Sequence, residues 1–471
     1  TVDASTAGAQ GLTVNTGGKT IFNGAVGTTA LKNLVTDGKG VAGEQTQLKG
    51  NVTTANEQTY GDAVVVNADV VATSTGDKDI TFQKTVDAAT AGAEGLTVNT
   101  GGKTIFNGVV GAAVELGGLT TDSAGETDFN MDASTSPAGK AAVNVAGKVT
   151  INDKAVFNVA NSGSGSHATV LTTGVAGAKV SDQIYNGAVT LGKDTVFQDN
   201  SGNNIEFNGA IDGANALVVN SSGNEIFNQP INVGSIITDD QKGSNPKVGG
   251  RAILADGHIT TSGNQTFNDL LTLQVDSTLT SSGGGSIVLA GGVNGNPNAS
   301  PSDPDPASTG HTLELVSTGN KTLGGTISGV HTLQSLEKAG SPGVPGSSST
   351  TFANSAFDNG DTLLIVDGHL VIQGGSVVQV DHGNRLPAIQ QDSVAGGPVK
   401  WRGNIFVFDS LTGQLYSQNG ATSPQEDLWR RILGAALQRP SQDQSRDLKP
   451  VGGERKNLPL GSNLGSSQVP Y

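Results

Sequence analysis

The chain has 471 residues, 68 of them glycine and none cysteine, with 4% aromatic and 15% charged residues and a net charge of −15. Few large side chains exclude a thick globular core. The acidity argues against nucleic acid as a partner, since that binding needs a basic surface, and the missing thiols exclude thiolate metal sites. No run of 18 apolar residues is present to cross a membrane as a helix.

The chain opens on Thr1–Gly27, TVDASTAGAQGLTVNTGGKTIFNGAVG, which returns almost letter for letter as Thr85–Gly111. Internal repetition at a fixed period marks a stacked building block rather than a site used once. Because the chain begins inside a repeat, it reads as a piece of something longer. Within one period, strand-like segments begin at Leu12, Leu34, Val52 and Val70 before Leu96 restarts the cycle. Short apolar/polar alternations rich in Val, Ile and Thr, cut by Gly, Asn and Asp, are the signature of strands between tight turns. The expected fold is all-β: a right-handed parallel β-helix of about 21 residues per coil and four coils per repeat. About 16 to 20 such coils would rise by roughly 75–100 Å at the interstrand spacing.

Further on, Gln58-Thr-Tyr returns as Gln183-Ile-Tyr and Gln265-Thr-Phe. The first half of the unit returns around Leu217–Asn228 and, decayed, from Leu313. About two coils are expected to be added near Asp122–Ser181, and the Pro-rich stretch Asn294–His311 is expected to protrude. The pairs Phe22-Asn23, Phe106-Asn107, Phe207-Asn208 and Phe227-Asn228 are read as structural. Phenylalanine points inward and stacks, while asparagine takes the turn, tolerating a left-handed backbone and bonding the backbone nearby.

The solenoid is expected over residues 1–350, with closing coils and a β-hairpin cap over 351–420, the hairpin turning at Leu411-Thr-Gly. Residues 421–440 read as one amphipathic helix: Ser423 is an N-cap candidate, Pro424 stands at the first helical position, and Leu428, Ile432, Leu433 and Ala436 share an apolar face. Leu428, Trp429, Arg430, Arg431, Ile432 and Leu433 are its candidate partner-docking residues. An irregular tail, 441–471, follows. Residues 421–471 carry a net +2 against −17 for 1–420, so the end of the chain differs in sign from the body.

No constellation for catalysis stands out. His167, His258, His311, His331, His369 and His382 are scattered singly. Two follow Asp-Gly turns, at Asp256-Gly257-His258 and Asp367-Gly368-His369. Asp303 and Asp305 alternate with prolines, which does not suit a calcium loop. Gly17-Gly18-Lys19 and Gly101-Gly102-Lys103 lack the spacing of a phosphate loop and read as turns. No catalytic, cofactor-binding or metal residue is expected, and no cofactor.

The cycle LTVNTGGKTIFNG, with its later LVTD and QTYGDAV segments, resembles the repeat regions of very large bacterial exoproteins of the filamentous-haemagglutinin type. The resemblance covers roughly residues 1–340. It implies secretion by the two-partner route, through an outer-membrane secretion partner, and a long fibre at the bacterial cell surface or in the extracellular matrix. Such a fibre would be a biofilm-matrix adhesin binding exopolysaccharide or the surface of host or other cells. Two departures from the family matter: its amino-terminal secretion domain is absent here, and so is the cysteine pair that anchors some members. Two other readings stand beside the adhesin. One is a self-associating filament subunit whose C-terminal helix and tail dock on the next subunit and cover its open sheet edge. The other is a polysaccharide lyase or hydrolase.

Overall fold

A computed structural model gives the fold. It describes residues 1–353 apart from 39–42, 138–139, 161–167, 175–181, 240–249, 298–309 and 340–347, and beyond that the backbone of strands between Ala356 and Leu464. The chain divides into two compact units, residues 1–251 and 252–471.

The first unit is a parallel β-solenoid with three strands per coil. Leu12–Val14, Lys19–Phe22 and Val26–Leu31 make the first coil, and each pairs in parallel with the strand one coil on, Leu34–Thr36, Gln45–Leu48 and Val52–Thr54. Three faces result. Side chains alternate between core and solvent along most strands, as in Val70–Ser74 and Gly95–Asn99, so that every second residue there packs on its equivalents above and below. Val86–Ala88 and Val170–Thr172 are buried throughout.

The pairing sets the coil length. Along the first face Leu12 lies beside Leu34, Leu34 beside Gln58, Gln58 beside Ile80 and Ile80 beside Thr104. Every one of these steps is longer than the expected coil, and one repeat does not hold four of them. Lys19–Phe22 is the second strand of the chain and its copy Lys103–Phe106 the thirteenth. Eleven strands at three per coil are three and two-thirds coils. The near-identical phrases thus lie on different faces, Lys19–Phe22 beside Gln45–Leu48 on the second and Lys103–Phe106 beside Ile80–Phe82 on the first.

Farther along, the steps lengthen again, from Glu126 to Lys154 and from Ala155 to Val189. Counted in strands, the excess over one repeat is a single coil rather than the expected two. The other added residues enlarge turns. One of these carries a 3₁₀ turn, Ala133–Thr135, where the Asp132 carboxylate accepts from Ser134 N. Another brings Ala141, Ala168 and Leu171 together as a small apolar cluster with Val196 against it.

The second unit repeats the plan. Parallel pairing runs through Ser277–Ser281, His311–Val316, Val330–Leu336 and Leu363–Val366 on one face and reaches Ala388–Gln391 and Lys400–Trp401 on the others. Parallel strands thus run well past residue 350. Phe406–Asp409 and Gln414–Ser417 then pair antiparallel around the expected hairpin turn, and Asn463–Leu464 adds a third strand to them. The turn itself, the helix expected over 421–440, the rest of the tail and most of the Pro-rich stretch lie outside the described residues.

Candidate functional site

Polar side chains inside and at the corners of the solenoid carry its chemistry. Gln58, Gln183 and Gln265 are fully buried, which is tolerable only if their amides find partners. Gln58 Nε2 donates to Thr54 Oγ1 (3.2 Å) and to Thr73 O (2.8 Å), and the Tyr60 hydroxyl donates to Gln58 Oε1 (2.8 Å). Gln183 repeats this with Thr172 Oγ1 (3.1 Å), Gln198 O (2.7 Å) and the Tyr185 hydroxyl (3.0 Å). Gln265 donates to Thr261 Oγ1 (3.2 Å) and Thr280 O (2.9 Å), but Phe267 stands where tyrosine stood, and Gln265 Oε1 has no partner among the described residues. Burial raises both tyrosine hydroxyls well above their ordinary range, so they stay protonated donors.

The aromatic rings form columns. Tyr60, Phe82, Phe106, Phe129 and Phe157 stack on the first face at 4.9–5.4 Å between centroids. The column then turns through the edge-on Phe197 to the third face, where Tyr185, Phe207 and Phe227 stack at 5.0 and 5.6 Å. Phe106, Phe207 and Phe227 thus lie in columns of rings. Phe22 is buried too, but its register neighbour is Leu48.

Asn107, Asn208 and Asn228, each one residue on, sit at corners and bond side chains of the adjoining coil. In one column Asn107 Nδ2 donates to Gln83 Oε1 (2.9 Å), Asn130 Nδ2 to Asn107 Oδ1 (3.5 Å) and Asn158 Nδ2 to Asn130 Oδ1 (2.9 Å). In a second, Asn186 Nδ2 donates to Asn152 Oδ1 (2.6 Å), Asn208 Nδ2 to Asn186 Oδ1 (2.8 Å) and Asn228 Nδ2 to Asn208 Oδ1 (2.6 Å). This corrects the expected role of Asn107, Asn208 and Asn228, whose amides bond side chain to side chain rather than to nearby backbone. Nor do these residues or Asn23 take a left-handed backbone: among the described non-glycine residues only Asp77 and Asp239 have positive φ. Asn23 stands outside both columns, its Oδ1 accepting from Lys49 Nζ (2.9 Å). The rungs Asn130, Asn158 and Asn186 are not among the expected pairs, although the sequence carries their signal, since each follows Phe129, Phe157 or Tyr185 as the named asparagines follow phenylalanine.

Charge is also ordered by coil. Lys103, Glu126 and Lys154 are in register on the first face. Lys103 Nζ reaches Glu126 Oε1 (2.5 Å) and Asp128 Oδ2 (2.9 Å), and Lys154 Nζ reaches Glu126 Oε2 (2.7 Å). The two lysines hold the Glu126 carboxyl down to about 2, and Lys103 is held above its ordinary range by Glu126 and Asp128. Inside a corner, burial pushes Asp153 up to about 6 from its ordinary 3.8, against hydrogen bonds from Thr121 Oγ1 (2.7 Å) and Thr127 Oγ1 (2.9–3.0 Å) that lower it. Burial, and then the neighbouring Glu44 and Asp37, raises Asp62.

The other sequence candidates do not converge. His258 Nδ1 bonds Asp256 Oδ1 (2.9 Å) within its own turn, and His311 Nδ1 lies 3.7 Å from Asp276 Oδ1. Both Gly-Gly-Lys segments are turns, with Gly18 N and Gly102 N donating to Thr16 Oγ1 and Thr100 Oγ1. His167, His382, Asp303, Asp305 and the docking residues Leu428–Leu433 lie outside the described residues. No family model matches the chain, and no curated protein or solved structure matches it.

Proposed function

We propose that this chain is part of a secreted, fibrous surface adhesin or biofilm-matrix protein, released through an outer-membrane partner, in which the solenoid is a stiff non-enzymatic spacer. The observation that carries this reading is where the polar groups direct their hydrogen bonds. The two asparagine columns and the Lys103–Glu126–Lys154 series are engaged from coil to coil, and Gln58 and Gln183 bond across the core to strands of other faces. Groups committed to stacking supply length and rigidity, the properties that set a binding surface away from a cell. A lyase or hydrolase instead needs carboxylates and basic groups converging on substrate. Asp153, whose carboxyl burial pushes up to about 6, is 3% exposed and bound to two threonine hydroxyls.

The proposed ligands are exopolysaccharide and the surfaces of other cells. The test is co-sedimentation of the purified chain with polysaccharide extracted from a biofilm, alongside an assay for reducing-sugar release from acidic polysaccharides. Retention without sugar release is expected. Release of sugar from any of them would overturn the non-enzymatic reading, and absence of retention on polysaccharide and on cells would overturn the adhesin. Sedimentation velocity of the chain alone reads the alternative, self-assembly through residues 421–471.

A further inference from the structure

Five Asn-Gly steps lie among the described residues, at Asn23, Asn107, Asn186, Asn208 and Asn294. Asn-Gly is the dipeptide most open to spontaneous deamidation, because an unhindered glycine nitrogen reaches the side-chain amide carbon. The fold has a reason to keep the glycine. A Cβ at Gly108, Gly187 or Gly209 would stand 2.1–2.2 Å from backbone atoms of Lys84, Asp153 or Gly187 in the adjoining coil, closer than atoms can approach. The columns have a reason to keep the asparagine, which alone among side chains of that length both donates and accepts an amide hydrogen bond. The corners are therefore built from a chemically labile pair.

Asn107, Asn186 and Asn208 each donate to one neighbouring side-chain amide and accept from another. To react, such a side chain must leave both bonds, and the carboxylate formed would face an acceptor oxygen with no proton to give. Asn23 differs in its partner. Its Oδ1 accepts from the Lys49 ammonium at 2.9 Å rather than from a neighbouring amide, in a contact as exposed as the ladder bonds. The ammonium draws electron density from the amide carbon, which favours attack, and it pairs with the carboxylate that results.

We propose that Asn23 is a spontaneous deamidation site and that the asparagine columns shield the same step at Asn107, Asn186 and Asn208. The backbone nitrogen of Gly24, losing its proton to water, bonds to Asn23 Cγ. The Cγ–Nδ2 bond breaks and the nitrogen leaves as ammonia with a proton from solvent. Water then opens the cyclic imide at either carbonyl to give aspartate or isoaspartate. The net change is amide plus water to carboxylate plus ammonium, with no oxidant or reductant.

The duplication supplies an internal control, because Asn23 and Asn107 share the pentapeptide Thr-Ile-Phe-Asn-Gly and are told apart by Ala25 and Val109. The full chain is incubated at pH 8, digested, and each Asn-Gly peptide is scored by mass for conversion. Conversion at Asn107, Asn186 and Asn208 is expected to be slower than at Asn23 by on the order of tenfold, the two ladder bonds being the difference. In denaturant Asn23 and Asn107 are expected to convert at the same rate. Lys49→Gln, checked for folding by circular dichroism, is expected to slow Asn23 and leave Asn107 unchanged. Equal rates in the folded chain, or faster conversion at Asn107, would overturn the proposal, as would a rate at Asn23 indifferent to Lys49→Gln.

Discussion

The aromatic column of the first face and the asparagine column beside it run through the same coils, one residue apart in sequence. Phe106, Phe129 and Phe157 face inward and are dry. Asn107, Asn130 and Asn158 turn the corner beside them and meet water. Both exploit one geometry, a side chain repeated at the interstrand spacing. The inner column gains from burial and ring contact, whereas the corner column gains only the margin of an amide–amide bond over an amide–water bond. Register is therefore enforced inside and only kept tidy outside.

The largest expected effect tests that division. Phe106→Ala removes a ring stacked at 5.0 and 5.4 Å on its two neighbours and should cost about 3–5 kcal/mol, against about 1 kcal/mol for Asn130→Ala. Denaturant unfolding followed by amide exchange in the flanking strands measures both, since a solenoid loses stability locally. Equal losses would break the comparison.

Asp153→Asn comes next. The folded-state pKa of Asp153 lies above its ordinary 3.8, so the folded form holds the proton more tightly. The stability this group contributes is complete below about pH 4 and lost as the pH rises to about 6. At neutral pH the substitution should stabilise by about 2 kcal/mol, and the gain should vanish below about pH 4 in melts taken across that range.

Two swaps then sharpen the interior rule. Phe267→Tyr supplies the hydroxyl that Gln265 Oε1 lacks and should stabilise by about 1 kcal/mol, while Tyr60→Phe should lose a similar amount. Thermal melts read both. Smallest is Glu126→Gln, worth at most about 1 kcal/mol for a surface series and less in high salt. Because Glu126 is held down to about 2, its contribution is present above about pH 4.5 and fades as the pH falls towards 2.

The β-solenoid was legible from the strand-and-turn alternation, and so was the inward direction of Phe22, Phe106, Phe207 and Phe227. Coil length was not. The segment starts at Leu12, Leu34, Val52, Val70 and Leu96 give the coil length only where equivalent letters stack directly, yet Leu12 stacks through Leu34 and Gln58 on Ile80. Three similar faces let one phrase serve any of them, so local sequence holds the strand but not the face. The roles of Gln58 and Asn107 were hidden for a related reason. Asn130 lies one true coil of 23 residues from Asn107, and Thr73 lies 15 residues from Gln58, across the core on another face.

The fraction left over in the repeat has a consequence for recognition. Since one repeat advances the chain by three and two-thirds coils, each copy of the unit is turned by one side of the triangle relative to the last. The loop held by Asp3, whose carboxylate accepts from Thr29 N, and its counterpart held by Asp87, accepting from Ala113 N and Val114 N, therefore look out in different directions. A receptor fixed on one side would meet a given loop only in every third unit, and receptors on three sides would each be served in turn. The repeat acts as a screw thread, spreading a single surface motif around the axis without any change in its sequence.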